Sequence, residues 1–270
     1  MLQQKSVQQF QQNVWAYYAE HKRPMPWREH HDFYSVLVSE LMLQQTQVPR
    51  VLTKFTDFME RFPTIEDLAN APLADVLIAW QGLGYNRRAK FLHSAAHVVV
   101  STGEPRTLDE LQKLPGIGPN TAAAMLAYIY NQPVVFVETN IRTVFLHEFF
   151  PGRSSVTDSE ILVYVEKAVD QQNPREWYWA LMDYGTYLKS QGKGSILRST
   201  HYKKQPAFKG SLREVRGYIV RALAEGPVAL TSLEFQDDIR FKPALQGLID
   251  DGLVEQHDVI ICLTAHNQQS

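Results

Sequence analysis

The stretch that decides the fold is 108-LDELQKLPGIGPNTAAAMLAYIY-130. Its first residues have the apolar spacing of a short helix that ends at Leu114, and Pro115-Gly116-Ile117-Gly118 then turns the chain. Pro119 suits the first turn of the next helix, because its missing N–H is not needed there. The glycines allow tight backbone angles and the close approach of another backbone. The pattern predicts a helix, a hairpin turn and a second helix.

The start of the second helix is the part of this motif that can bind an anion, because free N–H groups and the helix dipole point outward there. A helix–hairpin–helix of this kind holds DNA phosphates without reading the base sequence. The residues predicted to form this contact are Leu114, Gly116, Ile117, Gly118, Asn120 and Thr121. The alternative is an ordinary corner between two packed helices. The motif alone predicts DNA binding and says nothing about catalysis.

Helical periodicity dominates the first 200 residues, and almost nothing alternates with a period of two before residue 226. Three segments begin with a capping box, in which an acid follows a threonine by three residues: Thr64…Asp67, Thr107…Glu110 and Thr157…Glu160. Helices are predicted over 8–20, 33–47, 50–61, 65–70, 73–80, 87–101, 108–113, 120–130, 140–149, 158–171 and 175–187. This body is therefore predicted to be all α.

The composition excludes several classes of protein. The 270-residue chain has 27 Lys and Arg residues against 29 Asp and Glu residues, and 44% of its residues are hydrophobic, which is typical of a globular protein. No apolar run approaches the ~18 residues that a membrane helix needs, and the N-terminal residues resemble no targeting peptide, so we expect a cytoplasmic protein. Cys262 is the single cysteine, which argues against an internal disulfide and a cysteine-based zinc or iron–sulfur site.

Seven bases and no acid lie in residues 189–213: Lys189, Lys193, Arg198, Lys203, Lys204, Lys209 and Arg213. This stretch is either a solvated linker or a segment that faces DNA phosphates. Beyond it, helices are predicted at 211–224 and 240–251, around a short element at Leu230–Phe235. Two short strands with a turn near His257–Asp258 complete the chain. The order predicts a winged helix or another small α+β appendage, which can bind DNA or dock on its own protein.

Two acids are candidates for chemistry. Glu40 shares a helix face with Val36 and Leu43, so its carboxyl is predicted to lie on the apolar side, where burial raises the pKa of an acid. Glu138 follows an apolar stretch and directly precedes a helix. Each has a plain alternative: Glu40 can be a buried glutamate with satisfied hydrogen bonds, and Glu138 with Thr139 can simply cap the helix.

Together with the hairpin, residues 10–190 resemble the helix–hairpin–helix DNA glycosylase superfamily, and above all the MutY-type adenine glycosylases. Seven strings carry the resemblance: P-W-R (26–28), S-E-L-M-L-Q-Q-T-Q-V (39–48), R-F-P-T (61–64), D-L-A-N-A-P-L (67–73), W-x-G-L-G-Y (80–85), L-P-G-I-G (114–118) and T-N-I-R-T-V (139–144). The implied fold is mainly α and two-lobed, with a small C-terminal α+β appendage. Its predicted parts are a six-helix lobe with the hairpin (28–132), a second helical lobe (1–27 and 133–190), a basic linker (191–210) and a winged-helix-like appendage (211–270).

The resemblance also implies catalytic roles. Glu40 matches the acid that protonates a purine ring nitrogen so that the base can leave. Glu138 stands where the family has an aspartate that stabilises an oxocarbenium-like transition state or traps it covalently. Tyr85 matches a tyrosine beside the site, and Asn140 matches an asparagine that positions catalytic groups.

Other matching positions concern the DNA and the base. Gln44 and Gln45 match residues that wedge into the duplex when a nucleotide is flipped out. The residues expected to line the base pocket are Trp27, Arg28, Leu43, Asn120 and Trp179. Bifunctional lyases of the superfamily carry a lysine nucleophile where this chain has Asn120, so the resemblance implies a monofunctional enzyme that leaves an abasic site. Its implied partner is duplex DNA with a mismatch or lesion, bound by a monomer.

The chain departs from the family in three places. The family usually binds a [4Fe-4S] cluster after a segment like M-D-Y-G-T-Y-L, but here Lys189 holds the first ligand position, so the cluster is predicted to be absent. The one cofactor that the resemblance leaves open is a monovalent cation at the hairpin when DNA is bound. The cluster's phosphate contacts would then come from Lys189, Lys203 and Lys204. Glu138 is one methylene longer than aspartate, and a shift of ~1 Å can cost on the order of 10²-fold in rate. Trp179 replaces an amide or acid that reads the adenine edge, and an indole donates only one hydrogen bond.

The sequence thus predicts a clusterless, monofunctional DNA glycosylase, with mispaired adenine as the first substrate. One alternative is a glycosylase for another modified or mispaired base. The other is a lesion-binding protein that has kept the scaffold and lost turnover. A winged-helix regulator would leave the first 200 residues unexplained.

Overall fold

The computed structural model describes residues 6–201 and 205–264, and within these ranges the chain is mainly helical, as predicted. The helices are α1 (Val7–His21), α2 (Phe33–Leu43), α3 (Val48–Arg61), α4 (Ile65–Asn70), α5 (Leu73–Ala79), α6 (Arg87–Thr102), α7 (Leu108–Gln112), α8 (Pro119–Tyr130), α9 (Thr139–Glu148), α10 (Asp158–Ala168), α11 (Pro174–Ser190), α12 (Leu212–Ala222) and α13 (Phe241–Asp250). The strands are β1 (Val228–Ala229), β2 (Val254–His257) and β3 (Ile260–Leu263). In the described part of the chain, no helix is long and apolar enough to cross a membrane.

The helices begin where their local signals predict. All three predicted capping boxes form: Thr64 with Asp67, Thr107 with Glu110, and Thr157 with Glu160. Pro119 is the first residue of α8, with Gly118 as its N-cap. These starts follow from hydrogen bonds within one helical turn, which a sequence pattern can identify without knowledge of the tertiary structure.

Several helix ends differ from the prediction by two to four residues, and the largest difference is at the end of α2. The helix predicted to reach residue 47 stops at Leu43, because Gln45 adopts a left-handed backbone with φ 54°. The carbonyls of Leu41, Met42 and Gln44 accept hydrogen bonds from the Arg88 guanidinium instead of from a further helical turn, at 2.6, 2.9 and 2.6 Å. The helix predicted to reach residue 171 ends at Ala168.

The described residues pack as two compact units. Unit 1 is drawn from Met1–Phe33, Arg106–Gln112 and Gly118–Lys204, and unit 2 from Tyr34–Pro105, Lys113–Ile117 and Gln205–Ser270. This grouping differs from the predicted lobe of residues 28–132, because α8 packs on α11 inside unit 1. Arg175 of α11 helps to hold α8 by donating to the carbonyl oxygens of Tyr128 and Ile129. The predicted separate appendage belongs to unit 2.

The core of unit 1 forms between α1, α9 and α11. Phe10, Phe145 and Trp177 are fully buried and meet edge to face, with Phe10 ring centroids 5.2 Å from Phe145 and 5.8 Å from Trp177. Gly185 lets α11 approach the start of α9, because a Cβ at this position would lie 2.6 Å from the carbonyl oxygen of Asn140. This close approach fixes the backbone next to Glu138.

Unit 2 combines α2–α6 with the C-terminal appendage. Leu37, Leu41, Phe58 and Trp80 are fully buried in its helical part. In the appendage, α12 and α13 pack together, and the strands form an antiparallel sheet in the order β1-β3-β2. Helix, strand, helix and hairpin follow one another in this order, and the hairpin closes through a tight turn at Asp258-Val259. The appendage is therefore α+β, and the winged helix stays a prediction. The short element predicted at 230–235 is a 3-10 turn at Leu230–Ser232.

Candidate active site

Unit 2 holds the predicted acid, Glu40, on α2. Its helix neighbours Ser39 and Leu41 are buried, whereas Glu40 itself is half-buried. The predicted apolar face of α2 is present, and the expected burial of the carboxyl is partial. A carboxyl at the border between core and solvent can meet a substrate without unfolding the helix that carries it.

Arg88 organises the loops around this acid. Its guanidinium donates to Leu41, Met42 and Gln44 at the end of α2, to the Thr46 hydroxyl at 3.0 Å, and to the carbonyls of Leu83 and Gly84 at 3.2 and 2.9 Å. Burial lowers the pKa of Arg88 to about 10, so the group stays charged at neutral pH. One buried cation therefore joins the Gln44–Thr46 turn to the Gly84–Tyr85 turn.

These two turns carry the residues predicted to meet DNA. Gln45 and Tyr85 both have left-handed backbones, with φ 54° and φ 49°. This backbone conformation is uncommon for residues other than glycine and often marks functional sites. Gln45 is exposed, and Gln44, Tyr85 and Leu43 are half-buried. Sequence patterns predicted the roles of these residues, but nothing in them indicated that Arg88 holds both turns.

The hairpin loop packs tightly on unit 2. Gly116 has φ 80°, and a Cβ there would lie 2.9 Å from Cβ of Phe91 and 3.2 Å from Cδ2 of Leu41. Gln44 donates to the Gly116 carbonyl at 3.2 Å. Leu114 and Ile117, predicted as DNA contacts, are buried with exposed fractions of 4% and 6%. Their side chains anchor the loop, so any contact they make with a phosphate has to come from their backbone.

Unit 1 holds the second acid, Glu138, at the start of α9. Its Oε1 accepts the backbone N–H of Asn140 at 2.5 Å and that of Ile141 at 2.9 Å. The Asn140 side chain lies 3.4 Å from Oε2. Glu138 therefore does cap α9, as its plain alternative predicted, by accepting the second and third N–H groups of the helix. A cap does not exclude catalysis, because the same contacts hold the carboxylate at one position.

Opposing effects set the charge of Glu138. Burial raises its pKa above the usual value for glutamate, against the lowering effect of the Ile141 and Asn140 N–H groups and of the cations Lys189 and Arg142. Desolvation lowers the pKa of Lys189 more than Glu138 raises it. Lys189, predicted as a phosphate contact, thus acts electrostatically on Glu138.

Asn120 and Asn140 fix the backbone on both sides of Glu138. Asn120, exposed on α8, donates to the Val137 carbonyl at 3.0 Å. Asn140 lies 3.6 Å from Sδ of Met182 and packs against Gly185. Thr121 next to Asn120 is half-buried on the first turn of α8.

Three predicted pocket residues of unit 1, Trp27, Arg28 and Trp179, are buried. Arg28 donates two hydrogen bonds of 2.9 Å to the carboxylate of Asp183, which also binds Arg23 at 2.6 Å. The Arg28 guanidinium lies 5.5 Å from the Trp179 ring centroid. The buried Arg28 guanidinium thus has Asp183 as its charge partner. Its predicted place in the lining of a base pocket stays a prediction.

The ring of Trp179 already has stacking partners. Tyr128 stacks on it at 5.9 Å between centroids, and His31 lies at 5.7 Å. Only 5% of Trp179 is exposed. A base can stack directly on this ring only after one of these neighbours moves.

Part of the basic stretch is structural. Arg198 donates to the carbonyls of Leu146 and Phe150 at 2.8 and 2.7 Å, which satisfies the end of α9. Gly194, with φ 62°, packs so closely that a Cβ would lie 2.4 Å from the Thr143 carbonyl oxygen. Gly194 and Arg198 therefore pack against unit 1, whereas Ser195 and Leu197 between them are exposed. The predicted contacts Lys203 and Lys204 lie outside the described residues.

The residues at this place do not fit an iron–sulfur cluster, because Lys189, Gly194 and Arg198 occupy it and the chain has one cysteine. Elsewhere in the described ranges, one group brings metal-ligand atoms within 4.8 Å of one another: Glu255, His257 and Cys262 on the β2–β3 hairpin. Burial and the charge of Glu255 raise the pKa of the Cys262 thiol.

Sequence patterns missed four residues that build the site: Arg88, Asp183, Gly185 and Arg198. Two had a visible signal, because Asp183 and Gly185 belong to the M-D-Y-G segment. Arg88 follows the G-L-G-Y string by three residues, yet its type alone does not distinguish a buried guanidinium from a surface base. Arg198 was counted among the bases of the linker.

Comparison with known proteins agrees with this geometry. The family model of "HhH-GPD superfamily base excision DNA repair protein" matches residues 38–167. An adenine DNA glycosylase of Mycolicibacterium smegmatis is 32% identical over 266 residues, covering 89% of this chain and 91% of the relative. One of Mycobacterium tuberculosis is 34% identical over 273 residues, covering 90% and 89%.

Solved structures share the fold. A thermostable thymine-DNA glycosylase has a TM-score of 0.62 and 23% identity, covering 66% of this chain and 85% of its own. A trapped endonuclease III–DNA covalent intermediate has a TM-score of 0.54 and 20% identity, covering 70% and 86%. The family model and the two mycobacterial relatives, each matched over about nine tenths of its length, identify the same family. This chain belongs to the MutY-type adenine glycosylase family of helix–hairpin–helix DNA glycosylases.

Proposed function

We propose that this DNA glycosylase releases adenine from a mispaired site in duplex DNA and leaves an abasic site. The observation that carries the proposal is the capped Glu138 carboxylate, held by two N–H groups beside Asn140. The name of the mycobacterial relatives, which match along nearly their whole length, supports adenine as the base. We expect a monomer that acts in the cytoplasm, associated with the nucleoid in a bacterium.

The reaction uses the two acids in different protonation states. Glu40 donates its proton to a ring nitrogen of the flipped base, the bond between that base and C1′ of the sugar breaks, and its electron pair leaves with the base. The positive charge that develops on the sugar is stabilised by the Glu138 carboxylate. Water then adds to C1′ and gives up a proton, so the products are free base and an abasic sugar.

Asn120 supports hydrolysis without strand cleavage. It occupies the position of the lyase lysine and donates to the Val137 carbonyl next to Glu138. An amide cannot form a Schiff base with C1′ of the sugar. Borohydride therefore should not trap the protein on DNA.

A different base is the second candidate. Trp179 stands where the family reads the adenine edge, and its ring packs against Tyr128 and His31. Without an amide or acid at this place, selectivity depends more on how easily a base pair is disrupted, because a mismatched or damaged base costs less to extrude. A lesion-binding protein without turnover is the rival from another class.

The test is a panel of duplexes with adenine, hypoxanthine, uracil, thymine or an alkylated purine opposite each normal base, scored under single-turnover conditions for alkali-labile sites. We expect release of adenine from mismatches. Release of another base alone would favour the second candidate, and tight binding without release would favour the lesion-binding protein.

The Glu40→Gln variant tests the acid. Because an amide cannot protonate the base, release should fall on the order of 10²- to 10⁴-fold while DNA binding is kept. The matched control is Glu60→Gln, which changes an exposed glutamate of α3 in the same unit. Equal rates for the two variants would remove Glu40 from the mechanism.

A further inference from the structure

The appendage places a second guanidinium on Tyr85. Arg213, at the start of α12, has its guanidinium carbon 5.4 Å from the Tyr85 ring centroid, and its Nη1 donates to the Tyr85 hydroxyl at 2.9 Å. Arg88 lies 5.5 Å from the same ring. Two cations therefore contact one tyrosine in the turn that resembles a DNA-facing element.

The chain before α12 joins this contact. Nη2 of Arg213 donates to the carbonyls of Pro206 and Ala207 at 2.5 and 3.4 Å, which fixes the guanidinium. Gln205 donates to the Tyr85 hydroxyl and lies 3.5 Å from Oε1 of Gln45. Gln205 thus contacts both left-handed residues, Gln45 and Tyr85, in the two turns that Arg88 holds.

An independent anchor keeps the appendage at this place. Asp251, after α13, binds Arg216 of α12 at 2.5 Å and lies 3.6 Å from Nε of Arg87 on α6. Its carbonyl accepts a 2.8 Å hydrogen bond from Lys90 of α6. Because α6 begins directly after Tyr85, this anchor sets the distance from α12 to the Tyr85 turn.

The charges of the appendage argue against binding of DNA by its own helix pair. Residues 211–270 contain five Lys and Arg residues against nine Asp and Glu residues. Arg240 is paired with Asp238 and Glu214, and Arg216 with Asp251. A duplex laid along α13 would meet Asp237 and Asp238 just before its first turn, which repels phosphate.

We propose that Arg213 is a positioning residue for base flipping and that the C-terminal appendage serves to hold it there. It orients the Tyr85 ring through the hydroxyl and the ring face, and it brings positive charge to the DNA strand that enters at Gln45 and Tyr85. The inference rests on the proposed function, because only a flipping glycosylase brings a strand to these turns. The appendage then stabilises the position of Arg213 from within the same chain, and its own helices do not bind DNA.

The experiment uses the full chain and compares Arg213→Ala with Arg221→Ala. Arg221 is exposed at the last turn of the same helix, so its loss removes the same charge away from Tyr85. The readouts are the Kd for mismatched and fully paired duplexes, and the fluorescence of 2-aminopurine placed beside the target base, which rises when bases unstack. Arg213→Ala should weaken mismatch binding about tenfold, the size of one charge-assisted hydrogen bond, and abolish the fluorescence rise.

Two further variants separate positioning from charge and from folding. Arg213→Lys keeps the charge but not the planar donor, so binding should recover more than the fluorescence rise does. The effect of Arg213→Ala should shrink in a Tyr85→Phe background, which lacks the hydroxyl acceptor, as expected for coupled residues. Thermal melting of each variant checks that the fold is kept.

The outcomes separate this inference from the proposed function. If Arg213→Ala and Arg221→Ala have the same Kd and the same fluorescence rise, the inference is wrong whatever base is released. If the wild type flips a base and Arg213→Ala does not, yet no adenine is released, the inference stands and adenine is the wrong substrate.

Discussion

Arg88 in unit 2 and Glu138 in unit 1 each bind the backbone groups at the end of a helix, and they do so with opposite charges. The Arg88 cation is held by carbonyl oxygens at the C-terminal end of α2, whereas the Glu138 anion is held by N–H groups at the N-terminal end of α9. Each charge therefore faces the end of the helix dipole that attracts it. In both units, one side chain fixes the end of a helix, and that helix end positions a loop with predicted site residues.

The two charges differ in how they respond to pH. The pKa of Arg88 is lowered to about 10 by burial, which leaves it cationic over the working range of an enzyme. Burial raises the pKa of Glu138, and the Ile141 and Asn140 N–H groups, Lys189 and Arg142 act against this rise. Replacing Arg88 should change the structure at every pH. Replacing a neighbour of Glu138 should change how the single-turnover rate depends on pH.

Among the variants that disturb Arg88 or Glu138, the largest effect is expected from Glu138→Gln. The amide oxygen can still accept the N–H groups of α9, so the Tm should change little, but the neutral side chain cannot stabilise a sugar cation. The single-turnover rate should fall on the order of 10²- to 10³-fold. Glu160→Gln, which alters a half-buried helix-capping glutamate of α10, should keep the rate. A Glu138→Gln variant as fast as this control would leave Glu138 with its capping role only.

The next effect, expected from Arg88→Met, is on the stability of the fold. Loss of the guanidinium leaves several buried carbonyls of two turns without a donor, which should lower the free energy of unfolding by about 3–5 kcal/mol. Chemical denaturation measures this change, with Arg87→Met as control, whose exposed ion pair should contribute about 1 kcal/mol or less. If both variants unfold at the same denaturant concentration, Arg88 does not hold the turns.

The smallest effect is expected from Lys189→Met, and it is a shift of the pH profile. Lys189 lowers the pKa of Glu138, so its removal raises that pKa further. Since the reaction needs ionised Glu138, the acidic limb of the single-turnover rate should move to higher pH, and the rate on the alkaline side should stay unchanged. Lys193→Met is the control, because Lys193 is an exposed lysine just after the same helix. Superimposable profiles for both variants would show that Lys189 serves the fold or the DNA instead.

Much of the helical framework could be predicted because its signals are short-range. The capping boxes at Thr64, Thr107 and Thr157 and the proline at the start of α8 depend on hydrogen bonds and sterics within one turn. The acids Glu40 and Glu138 could be named because family strings surround them. The end of α2 could not, since an arginine 44 residues beyond Gln44 takes up its carbonyl.

The sequence by itself determined the helix order, the hairpin, the two candidate acids and the family to which this chain belongs. Only the tertiary structure decided what the charges do: Arg28 binds Asp183 across 155 positions, and Arg213 binds Tyr85 across 128. It also decided that α8 packs with α11 in unit 1 and that the appendage belongs to unit 2. The physical reason is that a capping pattern contains both its donor and its acceptor, whereas a buried charge is defined by partners that only the folded chain brings near.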